Sequence, residues 1–261
     1  MSITVLYKKF SLIPITVKWF NTEPAFEYDA KSLFYILRQS NPLDDIKHYP
    51  CVKEYKSTTS IIDLTLPEEQ LWETLDPKSC RYEIRKVLKM LDGGENVEIR
   101  NDSDLKQFLN LANNYIRKKG YSKPLTLNHF QRYIENNCGE LITLYHNGRL
   151  IGGNFYIMDH PSRVRLLYSF NDRFEAEQLQ KLSGPLMRYL HWQTMVKKYK
   201  KNGFLKYDMG GVDLSPDAET HGISKFKLSF GGKVIEEYNY VFTRSRAIAI
   251  AYNAFCKFIK R

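Results

Sequence analysis

Residues 139–158, GELITLYHNGRLIGGNFYIM, limit the folds open to this chain more than any other segment. Apolar and polar residues alternate on both sides of Asn147 and Gly148, and this dipeptide is the strongest short-range signal of a two-residue hairpin turn. Alternation of this kind is typical of strands with one buried face. The segment therefore predicts an antiparallel strand pair near the middle of the chain.

Helical and extended patterns alternate on either side of this hairpin. From about residue 95 onward, the predicted order of elements is β-α-α-β-β-β-α-β-α-β. Pro185 and Gly203 mark the two ends of a long helix, GPLMRYLHWQTMVKKYKKNG, because proline favours the first helical position and glycine favours a helix end. The order predicts an α/β protein of the α+β type, with a mixed sheet and helices in layers.

Residues 1–60 contain fewer elements. They hold two strand patterns, ITVLYKK and IPITVKWF, and a helical pattern near AKSLFYILRQS. Thr65 and Glu68 then have the spacing of a capping box before the helix PEEQLWETL. We therefore predict an N-terminal strand-rich extension or incomplete lobe over residues 1–60 and a principal domain over residues 61–261.

The charge distribution points to an anionic partner. The chain has 39 Lys and Arg against 29 Asp and Glu, a formal charge of +10. The positive charge concentrates in residues 78–89 and 197–201 and in the acid-free stretch 241–261. Nucleic acid, an anionic membrane surface and a phosphate-bearing small molecule all fit this pattern. Each cluster also fits an ordinary solvated helix face, and that alternative stays open.

The cysteines and the absence of long apolar runs favour a cytoplasmic protein. Four cysteines, Cys51, Cys80, Cys138 and Cys256, are scattered without the spacing of a metal site or a disulfide framework. The first residues, MSITVLYKKFSLIPIT, do not have the pattern of a signal peptide, and no segment has the length of a membrane span. We expect no metal and no stable membrane insertion. A homo-oligomer is compatible with the sequence.

Residues 207–232, YDMGGVDLSPDAETHGISKFKLSFGG, concentrate unusual positions. Asp208 lies near the end of an apolar strand pattern, and Gly210 and Gly211 follow it, where a chain can turn tightly and approach a substrate. Phe226 and Phe230 are spaced to share one face of a short helix, which leaves the Lys227 ammonium available to an anion. The segment indicates a functional site.

Three segments together resemble a known family. LWETLDPKSCRYEIRKVLK, the hairpin segment GELITLYHNGRLIGGNF and the closing YDMGGVD and HGISKFKLSFGG resemble the FemAB branch of the GNAT acyltransferases, over roughly residues 60–240. The resemblance implies a GNAT-like, mostly antiparallel sheet whose central strands splay apart, with helices on both sides. It also implies an enzyme that transfers an acyl group from a thioester or ester donor to a primary amine.

The resemblance leaves two donors open. Peptidoglycan-modifying relatives resemble two tandem domains, often with a coiled-coil arm, and residues 1–60 cannot supply a first domain. This difference favours acyl-CoA as co-substrate and a nucleotide-linked amino sugar as acceptor, in the synthesis of a surface polysaccharide such as lipopolysaccharide. The alternative is transfer from aminoacyl-tRNA to a peptidoglycan precursor of the cell wall.

The implied splay suggests where a coenzyme would bind. Leu167, Tyr168 and Ser169 would lie beside the acyl carbonyl at the gap between the strands. The start of the following helix would receive the pyrophosphate, because helix N-termini favour anions. The sequence there is QKLSGP, which departs from the glycine-rich GNAT signature. The predicted phosphate contacts are Gln180, Lys181, Ser183 and Gly184, and an ordinary capped helix start is the alternative.

The predicted catalytic residues are Asp208, His221 and Lys227. Attack by an amine needs a base and donors for the developing oxyanion; Asp208 and His221 are the base candidates, and Lys227 is assigned by the resemblance. A loop cap at Asp208, a solvated His221 and a structural Lys227 stay open as alternatives. The residues predicted to contact the substrate are Arg85, Lys86, Tyr207 and Asp213.

Overall fold

The computed structural model describes residues 2–9, 12–23, 31–43, 50–101, 104–121, 123–174, 177–215 and 221–259. The strands are β1 Ile3–Lys9, β2 Ile13–Trp19, β3 Phe34–Ser40, β4 Cys51–Asp63, β5 Val97–Arg100, β6 Gly139–His146, β7 Arg149–Asp159, β8 Arg163–Asn171, β9 Lys206–Gly211 and β10 Lys233–Thr243. The helices are α1 Glu68–Thr74, α2 Cys80–Asp92, α3 Leu105–Lys118, α4 Asn128–Glu135, α5 Glu177–Gln193, α6 His221–Leu228 and α7 Arg246–Ile259, and a π-helical segment, Thr194–Lys200, follows α5.

The chain forms two compact units, one of Met1–Thr59 with Ile235–Arg261 and the other of Ser60–Val234. The C-terminal strand and helix thus group with the N-terminal residues. The sequence predicted an N-terminal extension over residues 1–60 and an acyltransferase domain over residues 61–261. That division stays a prediction.

The first unit is built on β1, β2, β3 and β10. β1 and β2 are antiparallel, β2 and β3 are parallel, and β3 and β10 are antiparallel. The helix predicted near AKSLFYILRQS is wrong, because residues 34–40 form β3. Tyr35, Leu37 and Gln39 are buried and alternate with more exposed neighbours, so the segment has the two-residue period of a strand.

The second unit contains the hairpin. Its strands follow the order β9-β8-β7-β6-β5. The β6–β7 and β7–β8 pairs are antiparallel, as is β5–β6, whereas β8 and β9 are parallel. Asn147 and Gly148 have positive φ angles of 50° and 76°, as a two-residue hairpin turn requires, so the predicted hairpin is confirmed.

Helices cover both faces of this second sheet. On β7, Phe155 packs against Phe130 of α4, whereas the next residue, Tyr156, lies within hydrogen-bonding distance of Thr194, directly after α5. Successive side chains of a strand point to opposite faces. Helices α4 and α5 therefore lie on opposite sides, and the main core sits between the sheet and α2 and α5.

Two predicted helix starts are wrong. Pro67 precedes α1 without a side-chain cap, and the Thr65 hydroxyl donates to Asp63 Oδ1 at 2.7 Å instead of capping the helix. Helix α5 begins at Glu177, so Pro185 lies inside it rather than near its first position. An interior proline lacks the N–H that would bond the carbonyl four residues earlier. Helix α5 continues through Pro185 despite the missing hydrogen bond. The proline therefore did not mark the start of the helix.

Two glycines with the same backbone angle test how tightly the second unit is packed. Gly231 and Gly148 both have φ near +76°, but a Cβ on Gly231 would lie 2.2 Å from the backbone oxygen of Thr74, whereas nothing lies within 4 Å of one on Gly148. We expect Gly148→Ala to lower the free energy of unfolding by about 1–2 kcal/mol, the cost of positive φ alone. Gly231→Ala should cost at least twice as much, because overpacking is added. Urea denaturation of both variants measures the difference, and equal costs would contradict the packing described here.

Candidate active site

The site is centred where β8 and β9 separate. Their backbone pairing covers three residue pairs, Arg163 with Lys206, Val164 with Tyr207 and Arg165 with Asp208. Within the described residues, β8 continues to Asn171 and β9 to Gly211 beyond the last of these pairs. Backbone pairing of the two strands therefore ends at Asp208, which is compatible with the splay that the sequence predicted for the central strands. Gly210 still lies close to β8, since a Cβ on it would stand 2.9 Å from the Leu166 carbonyl oxygen. We call the region beyond the Arg165–Asp208 pair the β8–β9 opening.

A β-bulge lies on the β8 side of this opening. Phe155 of β7 faces Tyr168, but Tyr156 faces Leu166, so Leu167 is an extra residue without a partner on β7. A bulge redirects the backbone and the adjacent side chains. Leu167 and Tyr168 are half-buried and Ser169 is exposed. These are the residues predicted to lie beside an acyl carbonyl, and that role stays a prediction.

Asp208 ties the two strands together at their last pair. The side chain is fully buried; its Oδ2 accepts from Arg163 Nε at 3.0 Å and from Arg165 Nη1 at 2.6 Å. Its Oδ1 accepts the backbone N–H of Gly210 at 2.8 Å, and Gly210 has a φ of 81°. Both oxygens are thus engaged in holding β9 and its turn. Proton abstraction by Asp208 would have to break these bonds, so the geometry favours a positioning role.

Lys227 reaches the same turn from α6. Its Nζ donates to the carbonyl oxygen of Gly211 at 2.7 Å, and it lies 3.3 Å from the point where a Cβ on Gly210 would stand. The pKa of Lys227 is lowered to about 8, first by burial and then by the charge of Arg165, while the charge of Asp208 opposes the shift. The structure thus brings Asp208 and Lys227, two of the three predicted catalytic residues, to one turn.

His221 and Asp213 occupy exposed positions near that turn in sequence. His221 is the first residue of α6, and the loop before it, residues 216–220, lies outside the described residues. Asp213 is exposed; its N–H donates to Ser224 Oγ at 2.8 Å, and its Oδ1 accepts from the Ser215 N–H at 2.9 Å. These bonds connect residues 213–215 to one another and to α6. Roles in catalysis for His221 and in substrate binding for Asp213 stay predictions.

Arg85 and Lys86 lie on the exposed face of α2, away from its buried side at Ile84 and Val87. The Arg85 guanidinium stands 5.6 Å from the centre of the Trp72 ring. Both cations are accessible to an anionic ligand. Their assignment to a substrate phosphate stays a prediction.

The predicted phosphate loop is helical. Gln180, Lys181, Ser183 and Gly184 all lie within α5. Ser183 is buried, and its hydroxyl points back to the Gln180 carbonyl oxygen at 3.4 Å. Only the first four N–H groups of a helix lack partners within it. The assumption that residues 180–184 precede the helix is therefore wrong, although Gln180 is still one of the first four residues of α5. Phosphate binding by these residues stays a prediction.

A buried polar network, which sequence reasoning missed, lies behind the opening. His191 Nδ1 is 2.8 Å from the Tyr207 hydroxyl, which is 2.8 Å from the Tyr156 hydroxyl. Tyr156 also accepts from Asn154 Nδ2 at 2.9 Å and lies 3.2 Å from Thr194 Oγ1. All five side chains are almost fully buried, so the Tyr207 ring does not face solvent. Its predicted contact with a substrate stays a prediction.

Burial determines the ionisation of this network. It lowers the pKa of His191 to about 3, and the charges of Lys227 and Arg188 contribute to the same shift. It also raises the pKa of Tyr156 to about 12. The imidazole is therefore neutral at physiological pH. One sequence signal could have revealed the buried network: His191 and Thr194 are polar residues three positions apart within an apolar helical stretch.

Comparison with known proteins supports the assignment of the fold. The FemAB family model matches residues 118–242, a range that includes Asp208 and Lys227. The structure is similar to the crystal structure of FemX, with a TM-score of 0.65 over 96% of this chain and 87% of that one, at 12% identity. It is also similar to the C-terminal domain of a putative lysylphosphatidylglycerol synthetase from Agrobacterium fabrum, with a TM-score of 0.51 over 91% and 80% of the two chains, at 11% identity. None of the curated protein sequences matched.

These findings confirm the resemblance that the sequence predicted. The chain resembles the FemAB family over residues 118–242 and has the fold of FemX, with a mostly antiparallel mixed sheet between helices. Together the family match and the fold support an acyl- or aminoacyltransferase. Among the described residues, no helix combines the length and apolar character needed to cross a membrane.

The neutral, buried His191 should make the protein sensitive to acid. Between pH 6.5 and about 3 the unfolded chain binds a proton at this residue and the folded chain does not, so stability falls as the pH falls through that window. His191→Phe should remove up to about 1.4 kcal/mol per pH unit of this dependence. Urea denaturation at pH 4–7 measures the slopes, with exposed His160→Phe as control. Equal slopes for the wild type and His191→Phe would contradict the assignment.

Proposed function

We propose that the protein transfers an acyl or aminoacyl group from an ester or thioester donor to a primary amine. One observation carries the proposal. The opening between β8 and β9 begins at the Arg165–Asp208 pair, and the Lys227 ammonium lies at the same turn. A cleft between parting strands can admit the donor's acyl chain, while the cation meets charge that develops on its carbonyl oxygen.

The reaction explains why a half-buried lysine is useful at this point. The amine nitrogen attacks the carbonyl carbon, a C–N bond forms and the C–O or C–S bond breaks, while the nitrogen loses a proton. Negative charge appears on the carbonyl oxygen in the tetrahedral intermediate, and a fixed donor in a site of low polarity stabilises it. We assign this role to Lys227, whose Nζ keeps further N–H groups besides the one given to Gly211. The proton from the amine passes to His221 or to water.

We also propose a particular donor and acceptor. The sequence favours acyl-CoA and a nucleotide-linked amino sugar of surface-polysaccharide synthesis, and the opening beside residues 167–169 supports an acyl donor of this kind. The helical state of residues 180–184 weakens one argument for coenzyme A.

Aminoacyl-tRNA acting on a peptidoglycan precursor is the second candidate. The FemAB match over residues 118–242 supports it, and the chain spans 87% of FemX, so its length is not an argument against a FemX-like architecture. The basic, exposed face of α2 around Arg85 and Lys86 is compatible with either donor, since both carry phosphates.

A binding experiment separates the two donors. If acyl-CoA is the donor, acetyl-CoA or hydroxybutyryl-CoA should raise the melting temperature, because a ligand that binds only the folded state stabilises it. If aminoacyl-tRNA is the donor, filter binding of charged tRNA should be tight and should weaken steeply with salt, because each neutralised phosphate releases counterions. Free CoA and uncharged tRNA serve as controls. Binding of neither donor would argue against the proposed function.

Replacing Lys227 tests its role. Lys227→Ala should lower turnover by roughly 10²–10³-fold, the effect of removing one oxyanion donor. Its melting curve should stay close to that of the wild type. Since the ammonium form is the active one, wild-type turnover should also fall as the pH rises through about 8. Lys197→Ala, which removes an exposed lysine paired with Glu68, is the matched control. Full activity in Lys227→Ala would exclude the role.

A further inference from the structure

His191 lies where four elements of the second unit meet. It belongs to α5, and its Nδ1 is 2.8 Å from the Tyr207 hydroxyl on β9. Asn154 on β7 approaches the imidazole nitrogens to 3.4 and 3.5 Å. On the side of α6, the imidazole packs edgewise against Phe226 and Phe230, with ring centres 5.8 and 5.4 Å away. A single buried ring thus contacts β7, β9 and α6 from α5.

The contacts of His191 fall directly beside the two residues at the centre of the site. Tyr207 precedes Asp208, and Phe226 precedes Lys227. A shift of the imidazole would therefore move β9 and α6 at the positions that hold the carboxylate and the ammonium. Arg188, one turn earlier on α5, adds to the same support: its guanidinium stands 4.6 Å from the centre of the Phe226 ring and pairs with Glu83 at 2.6 Å.

We propose that His191 is a positioning residue for the reaction, holding Lys227 and Asp208 at the β8–β9 opening through Phe226 and Tyr207. The inference rests on the proposed function in that it takes Lys227 as the group that meets the substrate. His191 acts without exchanging protons, because burial keeps it neutral at physiological pH. Its contribution is the hydrogen bond to Tyr207 and the shape of the ring between the two phenylalanines.

Because His191 is neutral, its replacement can be used to test whether it positions Lys227. His191→Phe removes no charge, so the electrostatic surroundings of Lys227 stay the same, and a shift in the pKa of Lys227 would report a change in its position. The pKa can be measured by competitive labelling with acetic anhydride across pH, read at Lys227 by mass spectrometry, and this readout does not need turnover. A lysine that becomes more hydrated loses the burial effect, and its pKa rises.

We expect His191→Phe to reduce labelling of Lys227 at pH 7 by about threefold or more, which corresponds to a rise of about half a pKa unit. In turnover, kcat should fall about tenfold while KM for the donor changes less than twofold. His191→Gln, whose amide can still bond Tyr207, should recover part of both effects. Tyr199→Phe is the matched control, since it removes an equally buried hydroxyl that bonds Glu140 at 3.0 Å rather than His191.

A second variant covers the case in which His191→Phe does not fold. Tyr207→Phe deletes the other partner of the same hydrogen bond, together with the contact of that hydroxyl to Tyr156. The two substitutions together should shift labelling by less than the sum of their separate effects. Unchanged labelling of Lys227 in both single variants, whatever happens to their melting temperatures, would overturn the inference and make His191 a core residue only. If no donor supports turnover, the proposed function fails, and the labelling result still decides whether His191 positions Lys227.

Discussion

The ion pairs of Asp208 with Arg163 and Arg165 are the constraint on which the candidate site depends. They cross from β9 to β8 within the last pairs before the strands part, so the opening has a fixed starting point. Removing one partner of a buried ion pair is costly, because the remaining charge is left without compensation in a medium of low polarity. The carboxylate also fixes the turn at Gly210, against which Lys227 lies. The contacts of Asp208 thus determine both the geometry of the cleft and the environment of Lys227.

The buried polar network around His191 and Tyr207 also supports the site. Burying hydroxyl, amide and imidazole groups is unfavourable unless they bond one another, and when they do, the network favours a single arrangement. Here the network joins strands β7 and β9 to α5 and to the π-helical segment that begins at Thr194. The Thr194 hydroxyl also donates to the Leu190 carbonyl oxygen at 2.9 Å, where the helix changes from α to π. A rigid layer of this kind suits a site that must hold the Lys227 ammonium, which makes no ion pair with a carboxylate in the part of the chain that the structure describes.

The sequence predicted much of the fold and part of the site. The hairpin at Asn147 and Gly148 was recognisable because its turn requires positive φ, which is a local demand on two residues. The closing segment led to Asp208 and Lys227, which the structure brings to one turn. The strand β3 was mistaken for a helix, because a short apolar segment fits either period. The start of α5 was misplaced, because proline is a signal for a first turn and not a proof of one. His191 was missed, because its position in an apolar helical stretch can indicate burial but not which strand and helix will pack on it.

The sequence by itself determined which segments become strands and helices in the second unit, where the glycine turns lie and which family the chain resembles, because these depend on local backbone preferences and on residues in fixed order. Only the tertiary structure decided the state of the charged and polar groups. The sequence made Asp208 a candidate base, but in the folded protein two arginines of β8 bond its carboxylate, which thereby links β9 to β8. Lys227 acquired its lowered pKa from burial and from Arg165, 62 positions away along the chain. Ionisation depends on distance and on exclusion of water, and neither exists until the chain has folded.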